Sequence, residues 1–120
     1  MLCASLFHND PRTICVPAGQ TLFNQGERTE MMFVLIHGSA RILVNCREVE
    51  QLAVGDPVGE MSLIDNEPHS ATVQAVTDCE FVCVDQKHFN FLVVETPGFA
   101  LDLMRTMARR LRNMDRLLPP

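Results

Sequence analysis

A chain of 120 residues, 47% of them hydrophobic, suits one domain with a single apolar core. A net charge of -5 argues against a generic nucleic-acid binder, and no stretch approaches the roughly 20 apolar residues of a membrane helix. The opening MLCASLFHND lacks the basic flank and long apolar run of a secretion signal. Five cysteines (3, 15, 46, 79 and 83) form no C-x-x-C, and an odd number cannot all pair internally. Free thiols and a cytoplasmic location are the expectation. The charge is uneven: residues 1–99 carry 13 acidic and 5 basic side chains, residues 100–120 carry 2 and 5. A basic tail therefore follows an acidic body.

In chain order, 2–8 reads as a short helix or lead-in, ended by Asn9-Asp10-Pro11. Thr13–Val16 and Thr21–Asn24 read as short strands, separated by Pro17-Ala18-Gly19 and followed by a turn at Gln25-Gly26-Glu27. Met31–Ile36 is a nearly continuous apolar run, read as a buried strand that turns at His37-Gly38 into Ala40–Val44. Asn45-Cys46-Arg47 is the expected hairpin tip and Glu48–Val54 the returning strand. Ala71–Val76 and Cys79–Asp85 form a further pair. In the second, Cys79, Phe81 and Cys83 share one face, Val82 and Val84 the other. Two residue steps along a strand span roughly 7 Å and Cys79 and Cys83 are separated by twice that, too far apart to bridge.

The period then changes. Gln86–Glu95 suits a short helix with Asp85 as N-cap, and a long helix is expected from about Pro97 to Leu117. Met104, Met107, Leu111, Met114 and Leu118 recur at steps of 3, 4, 3 and 4, a heptad seam. The arginines at 105, 109, 110, 112 and 116 read as its solvated flank. The fold expected is mainly β: an antiparallel, jelly-roll-like β-roll over about 13–85, then helices over about 86–118, in one domain spanning 1–120.

The most informative stretch is Gly55–Ala75. A tight turn, Gly55-Asp56-Pro57, leads to Gly59-Glu60 and a short apolar helix, Met61 to Ile64. A polar loop follows, then a strand beginning near His69 or Ser70. Glycine at 59 permits close approach of a ligand to the main chain, and the first helical turn offers free N–H donors to an anion. No H-x-H, H-E-x-x-H or G-x-S-x-G spacing is present, so neither a metal centre nor an enzyme is expected.

Three segments together carry a resemblance. They are 19–27 (GQTLFNQGE), 32–38 (MFVLIHG), and a cassette made of Gly55-Asp56, Gly59-Glu60-Met61-Ser62-Leu63 and Pro68-His69-Ser70-Ala71-Thr72-Val73-Gln74-Ala75. In this order and spacing the chain resembles the cyclic nucleotide-binding domain, shared by catabolite activator-type regulators, kinase regulatory subunits and cyclic-nucleotide-gated channels. The resemblance implies a sensor of cAMP or cGMP class that acts by repacking its C-terminal helix. No cofactor is implied beyond that ligand. On the same resemblance Glu60 is expected to take the ribose 2′-hydroxyl, Gly59, Met61 and Ser62 to lie near the cyclic phosphate, and Ser70, beside Ala71, to donate to it.

One residue departs from the pattern. His69 stands where the family has an arginine. A histidine offers one donor at most and is mostly neutral at pH 7, so binding is expected to be weak. Thr106 in the tail is a candidate for a base contact. The seam at Met104, Met107, Leu111, Met114 and Leu118 is expected to join two copies as a homodimer. The chain ends at Leu117-Leu118-Pro119-Pro120, so no DNA-binding element and no membrane segment are expected in it. The competing reading is a degenerate, non-binding version that serves as a dimerisation or docking module.

Overall fold

The computed structural model describes residues 10–117. The expected lead-in at 2–8, and Leu118 of the seam, lie outside them. Eight strands and three helices follow in order: β1 (Thr13–Val16), β2 (Thr21–Phe23), β3 (Met32–His37), β4 (Ala40–Val44), β5 (Arg47–Leu52), β6 (Pro57–Val58), α1 (Glu60–Asp65), β7 (Thr72–Ala75), β8 (Cys79–Val84), α2 (Gln86–Glu95) and α3 (Phe99–Leu117). They build two four-stranded antiparallel sheets, ordered β1-β8-β3-β6 and β2-β7-β4-β5. The β-roll read from the strand spacing is the fold observed.

The apolar run of β3 is buried on both faces, and period-two alternation explains why. Phe33 and Leu35 point between the sheets, where they meet Phe23, Ile42, Val58, Val73 and Phe81. Met32, Val34 and Ile36 point outward and are covered by α1, α2 and α3 through Leu63, Leu92, Phe99 and Leu103. The two faces of β8 divide the same way. Cys79, Phe81 and Cys83 pack between the sheets, while Val82 and Val84 pack under the helices.

Boundaries shift where local chemistry decides. The β4–β5 hairpin turns on two residues, with Asn45 at φ 52° and Cys46 at φ 66°, so Arg47 already pairs with Val44. Two successive positive φ values are those of a type I′ turn, whose twist matches the flanking strands. The Asp85 side chain accepts from the His88 N–H at the start of α2, as an N-cap should. Helix α3 begins at Phe99, two residues after the proline, and the buried Phe99 ring meets Phe89 edge-on at 5.9 Å.

Candidate functional site

β6 delivers the chain to Gly59, which adopts φ 76° as the residue before α1. A Cβ at this position would lie 3.0 Å from His69 Cε1, 3.2 Å from the Met31 carbonyl oxygen and 3.3 Å from Phe23 Cε2. Both the backbone angle and the space thus demand glycine. Helix α1 is one and a half turns long and closes at Asn66, whose N–H donates to the Ser62 carbonyl at 3.0 Å.

Glu60, the first residue of α1, is only 5% exposed. It does not point into bulk water. Its Oε1 accepts from Nη1 of Arg110 at 3.1 Å, across from α3. The other edge of the same guanidinium reaches Glu50 on β5: Nε donates to its two carboxylate oxygens at 3.2 and 3.3 Å, and Nη2 lies 3.2 Å from Oε2. Burial works against the Arg110 charge, but the adjacent Glu60 and Glu50 more than offset it and raise its pKa. Arg109 approaches Glu50 more distantly, at 3.7 Å, from the exposed rim.

His69 is 4% exposed and pinned by four contacts. Its backbone N–H donates to the Glu27 carbonyl and its carbonyl accepts from the Gly26 N–H, both at 2.8 Å. Its ring stacks on Phe23, and Nε2 shares a 2.7 Å hydrogen bond with Thr29 Oγ1. Burial pushes the imidazole below its ordinary pKa, partly opposed by Glu27. At neutral pH the residue is an uncharged part of the wall.

These groups border a cavity of about 480 Å³ between the second sheet, α1 and α3. Gly59, Glu60, Met61, Ser62, His69, Ser70 and Ala71, all expected from the sequence, line it together. Ile42, Val44, Val49 and Val73 make its sheet wall, and Met107, Leu111 and Met114 its helical side. The heptad seam therefore faces the cavity over much of its length. Met104 lies off it and is 55% exposed. Thr106 does not line it either: the side chain is buried, and its hydroxyl donates to the Asp102 carbonyl at 3.3 Å.

Reading the tail arginines as a solvated flank needs correction at Arg110, which sits in the cavity wall between two carboxylates. A signal was present in the sequence. Arg110 is three residues after Met107 and four before Met114, so it shares their helical face. Glu50 had no such signal, because its partner is 60 residues away. Among the described residues no cluster of His, Cys, Asp or Glu is arranged to hold a metal ion, and no helix is long and apolar enough to cross a membrane.

Comparison with known proteins matches this geometry to a family. Residues 13–96 match the model of the cyclic nucleotide-binding domain. Over 103 residues the chain is 34% identical to the Pycsar effector protein XpPycTIR of Xanthomonas perforans, covering 85% of this chain and 34% of that protein. It is 32% identical over 102 residues to the cAMP-activated global transcriptional regulator CRP of Salmonella typhimurium, covering 80% and 49%. The chain thus spans a third to a half of the length of these relatives. Among solved structures, the Thermus thermophilus catabolite activator protein superimposes with a TM-score of 0.77 at 28% identity, covering 92% of this chain and 59% of that one. A structure of Sp-2Cl-cAMPS bound to PKAR CBD2 gives 0.76 at 27%, covering 88% and 70%. With the matched segment, the β-roll and the glycine–glutamate cassette in agreement, this chain belongs to the cyclic nucleotide-binding domain family.

Proposed function

We propose that the domain is a regulatory receptor for a cyclic nucleoside monophosphate, cAMP or cGMP in class, held in the cavity beneath α3. Glu60 accepts from the ribose hydroxyl, and Gly59, Met61, Ser62, Ser70 and Ala71 surround the cyclic phosphate. Ligand binding shifts how α3 packs over the cavity, and α3 carries that change to a partner. The relatives support the ligand class: one is a cAMP-activated regulator by name, and a solved neighbour holds a cAMP analogue. Reduced cysteines at 15, 46, 79 and 83 suit a cytoplasmic setting.

The observation that carries this reading is Glu60, a carboxylate buried beside a left-handed glycine and facing a cavity of about 480 Å³, within the usual size for small-molecule sites. Without a cassette arginine the phosphate loses a charge-assisted contact of about 1.5–3 kcal/mol, so affinity is weaker by roughly ten- to a hundredfold. The test is calorimetric titration of cAMP and cGMP into wild type and Glu60→Gln. Binding that drops at least tenfold in the variant supports the receptor. Absence of heat and of thermal shift at millimolar nucleotide overturns it.

One observation favours the competing reading of a docking or dimerisation module. The carboxylate a sugar would need already has a cation of the chain's own, Arg110. A wild type that is silent to nucleotide but dimeric in solution would move the assignment there.

A further inference from the structure

We propose that Glu50 and Arg110 form a latch that holds α3 across the cavity in the protein alone and ties up Oε1 of Glu60, so that a ligand using that oxygen must first displace Arg110. This rests on the assignment of Glu60 as the ligand carboxylate. It adds Glu50 as a positioning residue that sets affinity by acting through Arg110.

The geometry is that of a three-part clasp. Arg110 comes from α3, Glu50 from β5 and Glu60 from α1, at sequence separations of 60 and 50 residues. The guanidinium uses separate donors for the two carboxylates, Nε for Glu50, with Nη2 in ion-pair contact only, and Nη1 for Glu60, so neither competes for the other's donor. A planar fork with fixed donors is suited to bridging in this way. Both carboxylates are almost wholly buried, with side-chain exposures of 9% and 7%. Swinging α3 away would leave two anions facing an apolar hollow with no buried cation between them. All the charged partners belong to the chain itself, so closure requires nothing else.

The same three groups bear on ligand binding. Among the lining residues two carboxylates and one guanidinium leave one excess negative charge, since His69 is neutral, and Arg109 at the exposed rim, 3.7 Å from Glu50, offsets part of it. A cyclic phosphate meets that excess on entry. A ribose hydroxyl offers Glu60 a neutral donor in exchange for a charged one, an unfavourable exchange taken alone. Glu50 keeps its hold on Arg110 throughout. Glu50→Gln preserves shape, removes the excess charge and weakens the clasp.

The test pairs backbone amide exchange of the protein alone with titration of cAMP. In wild type, amides over 104–117 are expected to exchange at least tenfold more slowly than in Glu50→Gln or Arg110→Met. Arg110→Lys, which keeps the charge without the fork, should fall between. Exchange in β3 and β8 should stay unchanged, which separates release of α3 from general unfolding. Equal exchange over 104–117 in all four proteins overturns the latch. For ligand, Glu50→Gln should bind cAMP at least fivefold more tightly, and unchanged or weaker binding overturns the competition with Arg110. If neither cAMP nor cGMP binds to any variant, the receptor reading fails and the exchange data alone decide the latch.

Discussion

His69 lies face to face with Phe23, ring centroids 3.7 Å apart and planes 13° from parallel. The stack, together with the Thr29 bond, makes the residue at the family's arginine position a structural element instead of a phosphate clamp. His69→Arg should therefore act in two directions. A guanidinium at the cavity edge should tighten cAMP binding at least tenfold by restoring a charge-assisted contact. Loss of the stack, about 0.5–1.5 kcal/mol, and of the buried hydrogen bond, about 1 kcal/mol, should lower Tm by roughly 5–10 °C. Titration and a thermal melt on the same sample check both. A lowered Tm with unchanged affinity would mean that position 69 does not face the phosphate.

The buried imidazole also predicts a pH dependence. Burial lowers the His69 pKa from 6.5, so the unfolded chain takes up a proton more readily than the folded one. The stabilisation is therefore complete above the ordinary value and is lost as pH falls below it. Tm should be nearly flat from pH 8 to 7 and decline between about pH 6.5 and 5. His88 is shifted in the same direction by burial and then by Arg12, so it adds a slope of the same sign. His69→Gln should flatten the decline, leaving the His88 part. A variant with the wild-type slope would assign the whole effect elsewhere.

The sequence made the sheets and the cassette legible because both are local. Alternation in β8, the Asp85 cap and the Gly59-Glu60 pair each depend on neighbours within a few residues. Helix register placed Arg110 on the face of Met107 and Met114, but periodicity treats an arginine as solvent-facing by default. What reversed that was a carboxylate pair brought in from β5 and α1, which no local pattern encodes. The same holds for His69. Its alignment with an arginine was visible, while its commitment to Phe23 and Thr29 needed the packing of three separate segments.

The outer face of α3 carries the next prediction. Leu101, Met104, Ala108 and Leu111 form an exposed stripe at steps of 3, 4 and 3, with Leu111 66% exposed. The stripe meets the cavity rim at Ala108 and Leu111, whereas Leu101 and Met104 lie off the cavity lining. If the domain pairs with a second copy through α3, Met104 is the place to interrupt it without touching the cavity lining. Met104→Glu should halve the mass measured by light scattering and leave cAMP affinity within twofold. Met107→Glu, by contrast, should lower Tm and damage binding together, because Met107 packs against the helix-side core. An identical mass for wild type and Met104→Glu would remove the stripe as an interface.

Gly59 sets the last test, because its demand for glycine has two parts that can be separated. At φ 76° a side chain costs about 1–2 kcal/mol from backbone strain alone. Gly19 has a similar φ of 86°, but a Cβ there meets nothing within 4 Å. Gly19→Ala should therefore show the backbone cost by itself, with Tm lower by roughly 5 °C and nucleotide affinity unchanged. Gly59→Ala adds contacts of 3.0 Å to His69, 3.2 Å to the Met31 carbonyl and 3.3 Å to Phe23. Its Tm should fall further than that of Gly19→Ala, and cAMP affinity should drop more than tenfold as the His69–Phe23 stack shifts and the approach to the main chain is blocked. Equal Tm losses with unaltered affinity in both variants would show that Gly59 serves the backbone turn alone.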